Sequence, residues 1–302
     1  AGASPHRMPA IRPAIEASRF DLYLQPIVTL PQRKVRFYEA LTRLRSEDGT
    51  LLLPAEFLAA TAAAGLMPRL DNLMAFRAVQ VVRRLTAKNR ETGVFCNVAS
   101  ATLADATSFT QLLEFFTANR ALAPGLIFEL SQAAVRMLGP IEQESLAQLA
   151  SLGFRFSMDQ VDDLQLEPRA LAEQGFRYVK VPGTLLLNRS LAAAGDIHPS
   201  DLANLLARYG IELIADKIES ESTVVDLLDY DVRLAQGLLF APPKPVRNEA
   251  LQGAAAPAPP QHASAPMPAR PLPNTAEPAA PPAPGLSPER ITANLMQLAR
   301  NM

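Results

Sequence analysis

GLIFELS at 125–131, FRFSMD at 154–159, RYVKV at 177–181 and IELIAD at 211–216 are short apolar runs, each carrying a charged residue at or near its end. Longer segments separate them, such as IEQESLAQLASLG at 141–153 and SDLANLLARYG at 200–210, where apolar residues recur at helical spacing before a glycine. That alternation of strand and helix patterns predicts a parallel α/β architecture. Moving outward, DLYLQPIV (21–28), RKVRFYEAL (33–41), GVFCNVAS (93–100) and LAQGLLF (234–240) bring the runs to the eight that a closed barrel needs. FLAATAAAG (57–65), LMAFRAVQVVRRLTAKN (73–89) and SFTQLLEFFTANR (108–120) supply further helices, several closing on the Gly or Asn of a C-cap. The span 14–246 is close to the roughly 250 residues of a (β/α)8 barrel. A doubly wound open sheet is the rival, but the sequence has no GxGxxG turn to support a dinucleotide site.

Composition narrows the function classes. A chain of 302 residues that is 48% hydrophobic can bury one large core. Its formal net charge of −1 gives no global field toward nucleic acid or an anionic membrane, so an anionic ligand must be held by local groups. The single cysteine, Cys96, excludes an internal disulfide framework and points to a reducing compartment. No apolar run is long enough to span a bilayer, and the first residues lack the core of a signal peptide.

After Val246 the pattern stops. A large share of the 27 prolines falls between Pro257 and Pro288 among alanines, so residues 247–286 read as a disordered Pro/Ala-rich linker. Residues 287–302, SPERITANLMQLARNM, read instead as a short amphipathic helix: Ser287 caps, Pro288 suits the first turn, and Ile291, Leu295, Leu298 and Met302 form a stripe. Such a segment either folds back on the barrel or docks a partner.

In a barrel of this kind the strand ends converge on one face. Read down the runs, the polar residues there are Glu39, Asn97, Glu129, Asp159, Lys180, Asp216 with Glu219, and Gln236. Carboxylates with an amide oxygen suit a hard divalent cation such as Mg2+, and a lysine beside them suits a phosphate or an activated water.

These residues carry a resemblance. QPIV (25–28) and YEALxR (38–43) are similar to the opening signatures of the EAL domain family, and CNVAS, FELS, MDQ, YVKV, ADKIE and QGLLF resemble its later strands in order. LPAEF around Pro54 and Phe57 matches a further family pattern. The resemblance covers 14–246 and implies a (β/α)8 TIM-type barrel that binds cyclic di-GMP, active members cutting one phosphodiester with two Mg2+ or Mn2+ ions. Carried over, Glu39, Asn97, Glu129 and Asp159 would be metal ligands, and Gln25, Leu41, Arg43, Asp159, Lys180, Glu219 and Gln236 would form the ligand-recognition set.

The departures from the family pattern fall on the chemistry. Gln160 stands where the second aspartate of the paired motif is expected, and Asp216 stands where the AEGVE glutamate would serve as general base. Lys217 replaces the following glycine, QVDDLQLEP replaces a glycine-rich loop, and Gln132 replaces the glutamate that anchors that loop. The expectation is a degenerate catalytic set of Gln160, Lys180 and Asp216, on a barrel that binds cyclic di-GMP without needing a cofactor and signals to a protein partner. The resemblance extends to degenerate EAL receptors that regulate flagellum or pilus assembly. It implies a bacterial cytoplasmic protein, tethered to the inner membrane or a cell pole by an upstream segment, with a homodimer left open. A slow Mg2+- or Mn2+-dependent phosphodiesterase and a non-binding protein scaffold are the alternatives.

Overall fold

The structure, a computed structural model, describes residues 8–88, 91–188 and 197–246. The linker 247–286 and the amphipathic segment 287–302 lie outside the described residues. Ten strands form one sheet: β1 (Phe20–Thr29), β2 (Val35–Arg45), β3 (Leu51–Leu52), β4 (Gly93–Asn97), β5 (Leu126–Ser131), β6 (Arg155–Asp159), β7 (Phe176–Pro182), β8 (Glu212–Asp216), β9 (Leu234–Gln236) and β10 (Lys244–Pro245). Eight of them close on themselves in the order β1-β9-β8-β7-β6-β5-β4-β2 and back to β1, while β3 and β10 are short additions.

The barrel follows the expected parallel α/β architecture except at one strand. From β2 through β9 the barrel pairs are parallel, but β1 runs antiparallel to both β2 and β9. The reason is the connection: residues 30–34 join β1 to β2, and so short a link permits only a hairpin, since a parallel crossover needs a dozen or more residues. The hairpin register sets Gln25 opposite Glu39.

From β2 to β9 the connections between successive barrel strands each carry a helix that packs outside. The longest, Met67–Lys88, buries Leu70, Met74, Ala78, Val79 and Val82 in the layer between helices and sheet. Gly153, at φ +94°, follows the helix Pro140–Ser151 in the left-handed conformation that a glycine C-cap supplies. The helix Met8–Glu16 buries Ile11, Ala14 and Ile15, so packing against the barrel begins ahead of Ala14. Among the described residues no helix is long and apolar enough to cross a membrane.

Candidate functional site

The barrel interior is built in two layers. The lower one is apolar: Ile27, Phe37, Phe95, Ile127, Tyr178, Ile214 and Leu234 form a separate core cluster, with Phe37, Phe95 and Tyr178 meeting edge to face at 5.0–5.3 Å. Side chains alternate across a strand, so the residue two positions further on points inward again, one layer higher. That step leads from Phe37 to Glu39, Phe95 to Asn97, Ile127 to Glu129, Ser157 to Asp159, Tyr178 to Lys180, Ile214 to Asp216 and Leu234 to Gln236. On β1, which runs the other way, the step is backwards, from Ile27 to Gln25. Apolar packing thus floors a polar layer in which every strand of the barrel presents one hydrogen-bonding side chain.

Lys180 is the centre of that layer. Its ammonium, 1% exposed, donates to Glu39 Oε2 and to Glu129 Oε2, both at 2.9 Å. Glu39 also accepts from Gln236 Nε2 at 2.6 Å and from Asn97 Nδ2 at 3.4 Å, while Glu129 Oε1 accepts from the Ser157 hydroxyl at 3.1 Å. Gln236 further donates to Gln25 Oε1, and Gln25 in turn donates to the Ala241 carbonyl. Burial opposes charge on Lys180, but Glu129, Glu39 and Asp159 outweigh it and hold the ammonium above the usual lysine range. Glu39 is desolvated as well, yet Lys180 and the donors from Gln236 and Asn97 keep it below the usual carboxylate range. One ammonium cannot serve every acid: burial, then Glu39 and Asp159, push Glu129 well up despite Lys180. Asp159 and Asp216 are also raised, first by burial.

The rim divides into groups that join this centre and groups that do not. Leu41 and Gln160 line the mouth cavity, about 390 Å3, together with Glu39, Asn97, Glu129 and Asp159. Pro54, Phe57, Leu58, Met67, Leu70 and Met74 form an apolar bay on one side of it. Arg43 lies higher on β2, its guanidinium 5.3 Å from the Tyr23 ring centroid. Glu219 is exposed on the segment after β8 and makes no contact with the carboxylate centre among the described hydrogen bonds. Glu39 and Lys180 lie within β2 and β7 and not at their ends, because those strands run on to Arg45 and Pro182.

Gln160 and Lys217 share a backbone feature. Each follows a strand-ending aspartate and sits at positive φ, +51° and +57°. For a side chain that is not glycine this conformation costs about 1 kcal/mol. The Lys217 turn is held nonetheless: the Ile218 N–H donates to the Gln236 carbonyl, and the Ile218 carbonyl accepts from Leu239. Gly237 lets the two segments meet, since a Cβ there would lie 2.1 Å from the Ile218 oxygen.

The loop at 160–166 is held by Gln132, although a glutamate is the family's anchor at that position. Its side-chain N–H donates to the Asp163 carbonyl at 3.0 Å, and its oxygen accepts from the Asp162 N–H at 2.9 Å. An amide can do both, whereas a carboxylate can only accept. Arg136 adds a fork to the Asp163 carboxylate, at 2.8 and 2.5 Å.

Three supporting residues were not singled out from the sequence. Ser157 positions Glu129, and its signal was a polar residue two places before Asp159 in FRFSMD. Asp71, buried in the helix Met67–Lys88, accepts from the Ala99 N–H at 2.7 Å and from the Thr102 hydroxyl, fixing the turn that comes after Asn97. Burial pushes its carboxyl up to about 6, against the pull of Thr102 and Ala99. Arg136, the third, offered no pattern at all.

The donor set fits a divalent cation. Glu39, Glu129 and Asp159 each offer a carboxylate oxygen, all within 4.8 Å of one another. Gln236 Oε1 is buried without a hydrogen-bond partner.

Comparison with known proteins gives this mouth its context. A profile of the EAL domain matches residues 8–243. The cyclic di-GMP phosphodiesterase PdeB of Shewanella oneidensis is 24% identical over 243 residues, covering 79% of this chain and 28% of that protein. The chain spans about a third of the length of the first curated relatives it matches. Among solved structures, the FimX EAL domain from Pseudomonas aeruginosa bound to c-di-GMP superposes with a TM-score of 0.62 at 24% identity, covering 77% of this chain and 93% of that one. The EAL enzyme Bd1971 in its cAMP- and cyclic-di-GMP-bound form gives 0.64 at 22% identity, covering 80% and 66%. At these identities the superpositions speak for the fold. The profile match and the ordered polar layer together establish that the chain belongs to the EAL domain family.

Proposed function

We propose that this barrel binds cyclic di-GMP at its mouth and reports the nucleotide to a protein partner without hydrolysing it. The observation that carries the reading is Gln160: a neutral side chain at positive φ lines the mouth beside the Glu39, Glu129 and Asp159 group, while Lys180 bridges Glu39 and Glu129 below it. Gln160 is exposed, and a further acid would be needed in its place to hold a second cation. Recognition needs fewer parts. The bay of Pro54, Phe57, Leu58 and the methionines suits the flat face of a purine, and Arg43 has the planar fork that matches a phosphate. Gln25, Leu41, Asp159, Glu219 and Gln236 complete the proposed contact set. FimX, whose EAL domain holds c-di-GMP, supports the choice of ligand.

Binding on this account requires no cofactor. Where Mg2+ or Mn2+ is present, Glu39, Asn97, Glu129 and Asp159 would hold it, and a bound divalent cation supplies Lewis acidity toward a phosphodiester. Lys180 orients Glu39 and Glu129, and Asp216, at the end of β8, is the candidate proton acceptor, one methylene shorter than a glutamate. Shortening of that order, about 1 Å, can slow a reaction roughly a hundredfold. The partner, a polar or membrane-tethered location and a motility role rest on resemblance to receptor-type EAL proteins.

Isothermal titration of the protein with cyclic di-GMP, once in EDTA and once in Mg2+, tests the reading. Saturable heat of similar size in both is expected. No heat in either would remove the receptor. A second reading, slow Mg2+- or Mn2+-dependent hydrolysis, draws on the surviving Glu39, Glu129 and Asp159 group, and accumulation of linear pGpG would establish it.

A further inference from the structure

We propose that residues 287–302 of this same chain dock into an apolar groove on the outer face of β1 and β2. The hairpin topology creates the groove. Every other barrel connection brings a helix back over the sheet, but β1 turns straight into β2, so no crossover helix arrives to cover them. Leu24, Pro26 and Val28 of β1 and Tyr38 of β2 floor a cavity of about 640 Å3, between Leu85 of the helix Met67–Lys88 and Phe240 on the segment after β9. Val35 is 42% exposed at its edge, an apolar side chain left facing water. Val246, the last described residue, lines the same groove, so the covalent link toward 287–302 starts at this spot.

The sequence beyond Val246 decides the occupant. RNEALQG at 247–253 offers one large apolar side chain, Leu251, and the Pro/Ala-rich stretch offers no ordered stripe. Only 287–302 carries Ile291, Leu295, Leu298 and Met302 on one helical face, a stripe about 17 Å long at the helical rise. Residues 247–286 tether the segment to the barrel, and a covalent tether of this length holds it near the groove at an effective concentration on the order of millimolar. Of the two cations on the rim, Arg33 already engages Glu221, and Lys244 remains to meet the acidic Glu289 of the segment. Gln25 connects the groove wall to the mouth, donating to the Ala241 carbonyl while it accepts from Gln236.

Disulfide trapping in the full chain tests the docking. Cys96 is buried and its thiol is pushed up by burial, so it stays out of the reaction. Val35→Cys paired with Leu298→Cys is oxidised at high dilution beside a control pair, Ile141→Cys with Leu298→Cys. Ile141 is 65% exposed on the helix after β5, across the barrel from β1. The Val35 pair is expected to give at least about tenfold more intrachain disulfide than the control, and adding Ile291→Asp and Leu295→Asp should remove that excess. Equal yields from the two pairs, no intrachain product from the Val35 pair, or a product joining two chains would each overturn the docking.

Discussion

The lysine–carboxylate centre and the loop at 160–166 begin at adjacent strand ends, yet opposite kinds of force hold them. The centre is dry: Lys180, Glu39 and Glu129 are buried charges, each dependent on the others to offset lost hydration. The loop is wet, and its clamp from Arg136 to Asp163 joins side chains that are each about 40% exposed. A substitution at the centre cannot be absorbed locally, whereas the loop has replaced its missing glycines and glutamate with a different set of contacts. Sequence change is therefore tolerated at the rim in ways the centre would not permit.

Lys180→Met should have the largest effect. It leaves Glu39 and Glu129 buried without their counter-ion, and a loss of about 3–5 kcal/mol is expected in urea unfolding at pH 7. A loss below 1 kcal/mol would show that the centre is less tightly coupled than its geometry indicates.

Asp71 comes next, through pH. Its carboxyl titrates at about 6 in the folded chain, above its ordinary value of 3.8. The folded state thus holds this proton more tightly than the unfolded one, and the contribution to stability falls as pH climbs from about 4 to about 6. The expected span is about 3 kcal/mol, and Asp71→Asn should flatten that part of the pH–stability curve. An unchanged slope in the variant would assign the pH dependence to other groups.

On the loop, Gln132→Glu removes the donor to the Asp163 carbonyl and buries a charge, so a loss of about 1–3 kcal/mol is expected, with faster hydrogen exchange over 160–166. Arg136→Ala should have the smallest effect, leaving the urea midpoint nearly unchanged, since exposed ion pairs contribute little. If these two matched Lys180→Met in size, the division between centre and rim would fail.

The same division governs what was legible beforehand. The eight runs and their polar residues could be read because β-type periodicity and a charged residue in an apolar run are local signals, and Glu39, Asn97, Glu129, Asp159, Lys180, Asp216 and Gln236 do share one layer. The direction of β1 was less plain, although the brevity of LPQRK between β1 and β2 held the clue. Gln132 was read as a lost anchor because its new partners, Asp162 and Asp163, lie about 30 residues away and only folding brings them together. Asp71 was missed for a similar reason. An aspartate in a helix looks solvated until the turn after β4 is seen to rest on it.

Equilibrium dialysis against cyclic di-GMP in excess Mn2+, followed by chromatography of the nucleotide recovered from the protein chamber, tests the central claim most directly. The account predicts nucleotide retained at about one equivalent and recovered as the intact cyclic dinucleotide. Multiple turnovers to linear pGpG, or no retention at all, would contradict it.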